Sequence, residues 1–115
     1  MARRLEQVND LIRGEVGKIV DREFDAPARS MVTITRVETS PDLHYANIFV
    51  SVMPVINEGA VLSEFEKSVG KIQHLLNWKL RMRPVPRIKF AIDREQKRAD
   101  RIETLLAQEN LKNGE

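Results

Sequence analysis

Residues 31–53 read MVTITRVETSPDLHYANIFVSVM, and the pattern within this stretch decides the fold. From Met31 to Glu38 β-branched residues alternate with polar ones, and from Tyr45 to Met53 the alternation returns, so each half predicts a strand with one packed face. Between them Ser40, Pro41 and Asp42 are turn formers, and Asp42 in that setting most simply bonds a backbone amide. Two antiparallel strands follow. Val32, Ile34, Ala46, Ile48, Val50 and Val52 form the packed face, and Thr33, Thr35, Asn47 and Ser51 fall opposite. Tyr45, Phe49 and Met53 are the large apolar residues on that open face, expected to pack at an edge rather than to stack on a ligand.

Upstream, Leu5, Val8, Ile12, Val16, Ile19 and Val20 recur at three- and four-residue spacing, the stripe of an amphipathic helix ending near Arg22. Pro27 then makes Asp25-Ala26-Pro27-Ala28-Arg29 a loop. Downstream, Leu62, Phe65, Val69, Ile72, Leu76 and Leu80 predict a helix from Gly59 to about Met82. Glycine inside a helix costs about 1 kcal/mol relative to alanine, so a break or kink is expected at Ser68, Val69 and Gly70. Beyond Pro84 and Pro86, residues Arg87 to Ile92 (RIKFAI) predict a third strand with Ile88, Phe90 and Ile92 packed. Asp93 and Gln96 are spaced as a capping box before a short last helix through Ile102, Leu105 and Leu106.

A long helix between the second and third strands lets the third lie parallel to a neighbour in a right-handed crossover. The order α-β-β-α(kinked)-β-α predicts a two-layer α+β domain with helices on one face of a three-stranded sheet. At 115 residues the chain fits one domain. It is expected over residues 1–109, with 110–115 as a short flexible tail.

The absence of cysteine excludes disulfide frameworks, thiolate metal sites and cysteine nucleophiles. The longest stretch free of Asp, Glu, Lys and Arg runs from Leu43 to Asn57, short of the ~20 apolar residues of a membrane span. Glu6 and Asp10 fall where a signal peptide needs an apolar region. A soluble, cytoplasmic protein is expected. His44 and His74 lack spaced ligand partners, and no carboxylate pairs with a nucleophile at a recognisable spacing, so no metal, cofactor, small-molecule substrate or catalytic site is expected.

Charge is sorted along the chain. Residues 37–66 contain five acids and no Lys or Arg, whereas 67–98 contain ten basic residues against Asp93 and Glu95, within a formal net charge of +2. A bipolar field of this kind favours a polyanionic partner on one side. Lys67, Lys71, His74, Trp78 and Arg81 share one helical face, about 120° from the apolar one. Arg83, Arg87 and Lys89 extend the basic region. Cations among flat rings suit an RNA backbone with stackable bases. A phosphate-cradling Gly-x-x-Gly is sought between two helices; the one literal match, Gly14-Glu15-Val16-Gly17, lies inside the first helix beside an acid and is read as coincidence.

Val37, Ser40, Asp42, Leu43 and Ala46 follow a V-x-x-S-x-D-L-x-x-A pattern, with Ile48 and Ser51 after it. Gly70, Ile72, Leu76, Arg81-Met82-Arg83, Pro86, Ile88, Phe90 and Asp93 continue the match, to about Leu106. These residues resemble the ribosome-binding factor A family of bacterial small-subunit assembly factors. Ala26-Pro27-Ala28-Arg29 only approximates the family's Asp-Pro-Arg, and Ser68 and Gln73 stand where Ala and Arg are common, which removes one cation. The resemblance implies a type II KH-like domain in which Ser68, Val69 and Gly70 mark an interrupted helix in place of the Gly-x-x-Gly loop. It also implies a monomer that binds the free 30S subunit near the 5′ end of 16S rRNA, aids late maturation and precursor processing, and matters in cold growth. Two alternatives are a general single-stranded RNA or mRNA regulator on the same fold, and a protein-interaction module docking through Tyr45, Phe49 and Met53.

Overall fold

This computed structural model describes residues 2–95. Gln96, the last short helix and the tail expected from the sequence lie outside the described residues. Helix α1 spans Ala2–Glu23, and its apolar stripe packs inward, with Ile12 and Val16 fully buried. Burial of such side chains is worth about 1.5–3 kcal/mol each. Past Phe24, the Pro27–Arg29 segment is a single 3-10 turn within the expected loop.

Strand β1 (Met31–Thr39) pairs antiparallel with β2 (Tyr45–Met53), and β3 (Arg87–Ile92) pairs parallel with β2, giving the sheet order β1-β2-β3. The turn works as expected. The Ser40 hydroxyl donates to Asp42 Oδ1 at 2.5 Å and the His44 amide donates to the same oxygen at 3.0 Å. Those two bonds, Ser40 first, lower the Asp42 pKa below its usual value.

Strand β1 departs from plain alternation. Its register passes from Ile34 opposite Val50 to Arg36 opposite Phe49, which leaves Thr35 as an extra residue in a bulge. Without it Arg36 would follow Val32 and Ile34 onto the packed face. With it Arg36 turns to the open face, and Val37, absent from the packed face predicted by plain alternation, joins the core at 6% exposed.

Helix α2 (Glu58–Lys79) forms the crossover between β2 and β3. The break expected at Ser68, Val69 and Gly70 is not made: the helix continues through all three. Phe65, Ile72 and Leu76, on both sides of the glycine, are buried in one core, and their packing outweighs the local cost of Gly70. Phe65 lies between Phe24 and Phe90, with ring centroids at 4.0 and 4.1 Å, so one aromatic column joins the end of α1, α2 and β3. Both helices pack on the same sheet face.

Candidate nucleic-acid interface

The buried residues of α2 fix the direction of the others. With Phe65, Ile72 and Leu76 against the sheet, Lys67, Lys71, His74 and Trp78 emerge on the exposed side. Trp78 is 77% exposed. Its indole N–H donates to His74 Nε2 at 3.3 Å, which requires that nitrogen to be unprotonated, and the rings meet edge-on at 6.4 Å. The indole is steadied by its edge, with its body open to solvent. Lys71 differs from its neighbours, because its Nζ lies 3.1 Å from Glu23 at the end of α1.

Arg81 is exposed in the segment after α2. Arg83 Nη1 donates to the carbonyls of Leu80 and Met82 at 2.9 and 2.8 Å, which satisfies acceptors left free where the helix stops. On β3, Ile88 and Phe90 point into the core, so Arg87 and Lys89 leave the sheet on the side away from α2. The eight predicted residues therefore form two rows on different elements rather than one straight strip. Of the eight, Arg83 and Arg87 line a cleft of about 370 Å³, together with Gln73, Asn77, Pro84 and Val85. Among the described residues Lys67, Arg81, Arg83, Arg87 and Lys89 have no acid partner.

Gln73, which the sequence marks only as a missing cation, has a structural task. Its Oε1 accepts from the Ile88 amide at 2.8 Å, and its Nε2 donates to the Pro86 carbonyl at 3.1 Å and to Asn77 Oδ1 at 3.0 Å. One side-chain amide thus stands in for a neighbouring strand along the free edge of β3. An arginine can donate but not accept, so it could not reproduce this pair. The available signal was the spacing of two carboxamides, Gln73 and Asn77, one helical turn apart.

The open sheet face is organised differently. Arg36 lies 3.9 Å over the ring of Phe49, and its Nε is 3.3 Å from Asp93 Oδ2; Thr35 donates to the same oxygen. Glu38 and Glu95 also face Arg36. Phe49 is therefore covered, leaving Tyr45 and Met53 as the exposed pair of the three apolar residues expected there. Among the described residues no group of three His, Asp or Glu could hold a metal ion, and no helix is long and apolar enough to cross a membrane.

A model of the family described as ribosome-binding factor A matches residues 4–106. A ribosome-binding factor A from Thermomicrobium roseum is 34% identical over 106 residues, covering 91% of this chain and 82% of its own. The crystal structure of ribosome-binding factor A from Thermus thermophilus superimposes with a TM-score of 0.68 at 17% identity, covering 76% of this chain and 94% of that one. A homology model of the Thermus thermophilus factor, fitted into the cryo-EM map of a complex with the 30S subunit, gives 0.62 at 21% identity over 75% of this chain and 91% of that one. The sequence matches extend over nearly the whole chain and the structures share its α-β-β-α-β fold, which is KH-like in arrangement: the chain belongs to the ribosome-binding factor A family.

Proposed function

We propose that this protein is a non-enzymatic assembly factor that binds the free 30S subunit through 16S rRNA near its 5′ end and assists late maturation and precursor processing. The observation that carries the reading is the set of cations with no acid partner among the described residues, Lys67, Arg81, Arg83, Arg87 and Lys89, together with the exposed Trp78. Cations held this way attract phosphates at little internal cost, and an open indole can stack on an unpaired base. The relative fitted into a 30S complex supports the choice of partner. The factor works by occupancy: tighter binding to the immature subunit raises the population of that form, and maturation of the site releases the protein.

The test is co-sedimentation with small subunits over a range of salt. The K67E/R81E double variant is expected to sediment less with the subunit and to show a flatter salt dependence, because fewer neutralised phosphates mean fewer released counterions. Undiminished co-sedimentation would remove the assignment of this face. Bulk single-stranded RNA that competes as well as 30S subunits would favour the general RNA regulator.

A further inference from the structure

We propose that the cleft between the second half of α2 and the start of β3 holds one unpaired nucleotide of the bound RNA, with its phosphate on Arg83 and Arg87 and its base read by Asn77. This rests on the RNA-binding reading above and adds a base preference, adenine over guanine.

The orientation of Asn77 is set by the backbone. The Ile88 amide can only donate, so the Gln73 atom 2.8 Å from it is the carboxamide oxygen. The Pro86 carbonyl can only accept, so the atom 3.1 Å from it is the nitrogen. The second proton on that nitrogen points to Asn77 at 3.0 Å, so Asn77 turns its oxygen toward Gln73. Asn77 Nδ2 is then directed elsewhere and has no partner among the described residues, and Oδ1 keeps one lone pair. The edge of β3 thus fixes Gln73, and Gln73 fixes Asn77.

Two donors beside a single acceptor, held in one orientation, match the N7 acceptor and N6 amino donor of adenine. Guanine offers two acceptors, N7 and O6, on that edge and sets one against the lone pair of Asn77. The remaining walls suit the rest of a nucleotide. Arg83 uses one terminal nitrogen on backbone carbonyls and keeps its others, while Arg87 has no acid partner among the described residues. Pro84 and Val85 supply apolar surface, and about 370 Å³ falls within the size of pockets that enclose small organic ligands. Around α2, Asn77 lies about 60° from His74, so the cleft adjoins the row that ends in Trp78 and a strand can continue from one to the other.

The experiment uses the full chain and short oligouridines carrying one central adenosine or guanosine, compared by fluorescence anisotropy at fixed salt. The wild-type protein is expected to bind the adenosine oligonucleotide about tenfold more tightly. Asn77→Ala should abolish that ratio, so that the variant binds the adenosine and guanosine oligonucleotides equally. Gln73→Leu should abolish it too; Gln73 acts as a positioning residue, and a purely structural defect would weaken both oligonucleotides alike. A wild-type protein without the preference, or an Asn77→Ala variant that keeps it, overturns the cleft assignment; in either case K67E/R81E still tests the RNA reading separately. Failure of the wild-type chain to bind any of the oligonucleotides or the subunit would sink both.

Discussion

Arg36 and Arg87 are the same side chain on opposite edges of one sheet, and they have opposite electrostatic fates. Arg36 is stacked on Phe49 and faces Asp93, Glu38 and Glu95; Arg87 has no acid partner among the described residues. Desolvation is the largest single influence on the Arg36 pKa and lowers it, but Glu38, Asp93 and Glu95 together outweigh it and the net shift is upward. The difference begins with the extra residue Thr35, which rotates Arg36 out of the core and over the ring. Asp93 and Glu95 are the two acids between residues 67 and 98, and both face Arg36, which lies outside that segment. The basic surface is strong because its own nearest acids in sequence are engaged by Arg36 of β1.

Breaking the paired side should have the largest effect. Asp93 is 3% exposed and receives both Thr35 and Arg36, so Asp93→Ala removes the buried acceptor they share and leaves Arg36 to Glu38 and Glu95 and the Thr35 hydroxyl to the Phe49 carbonyl. Loss of one member of a fully buried pair costs about 3–5 kcal/mol; Arg36 retains some solvent, which reduces the expectation to about 2–3 kcal/mol. Urea unfolding should show the lowered midpoint with an unchanged slope. The folded fraction should bind RNA as before.

Breaking the free side should do the reverse. Arg87→Glu is expected to weaken RNA binding about tenfold, about 1.4 kcal/mol, while thermal or urea stability stays within about 0.5 kcal/mol. On single-stranded RNA the slope of log affinity against log salt should flatten by about 0.7 for each phosphate that the variant no longer neutralises. A fall in stability that accounts for the weaker binding would show that Arg87 is structural, and the contrast with Arg36 would collapse.

The same contrast explains what the sequence could convey. The bounds of β2, Tyr45 to Met53, follow from its alternation, and the packed face of α2 follows from its apolar spacing, because both are local periodicities. The bulge at Thr35 changes the phase of a strand against its partner, which is a property of the pair; its trace in the sequence is the odd spacing between Ile34 and Val37. The continuity of α2 through Gly70 depends on Phe65 and Ile72 meeting one core, again a tertiary matter. The charged row on α2 was visible from spacing, whereas the Gln73 clamp was hidden because neutral amides leave no mark on a charge profile.

Gly70 gives a smaller and sharper test of the free surface. An added Cβ there meets nothing within 4 Å, and the backbone is helical, so Gly70→Ala should stabilise the fold by up to about 1 kcal/mol in urea unfolding. If RNA approaches this bare backbone, the more stable variant should bind subunits less well. An equal or higher affinity would place the RNA away from the middle of α2.

The smallest effect concerns Lys71, which lies between the two extremes because Glu23 holds it at 3.1 Å while the lysine side chain stays 65% exposed. Exposed pairs of this kind contribute at most about 1 kcal/mol, so Glu23→Gln should change stability little. It should also release Lys71 to a phosphate, and RNA affinity should rise about twofold at low salt. The gain should fade as salt is raised, since the screening length drops from about 10 Å at 0.1 M to about 3 Å at 1 M. A rise that persists at high salt would mean that glutamine makes a contact of its own. No rise at any salt would mean that Lys71 stays off the RNA, and the effective cations would then be Lys67, Arg81, Arg83, Arg87 and Lys89 alone.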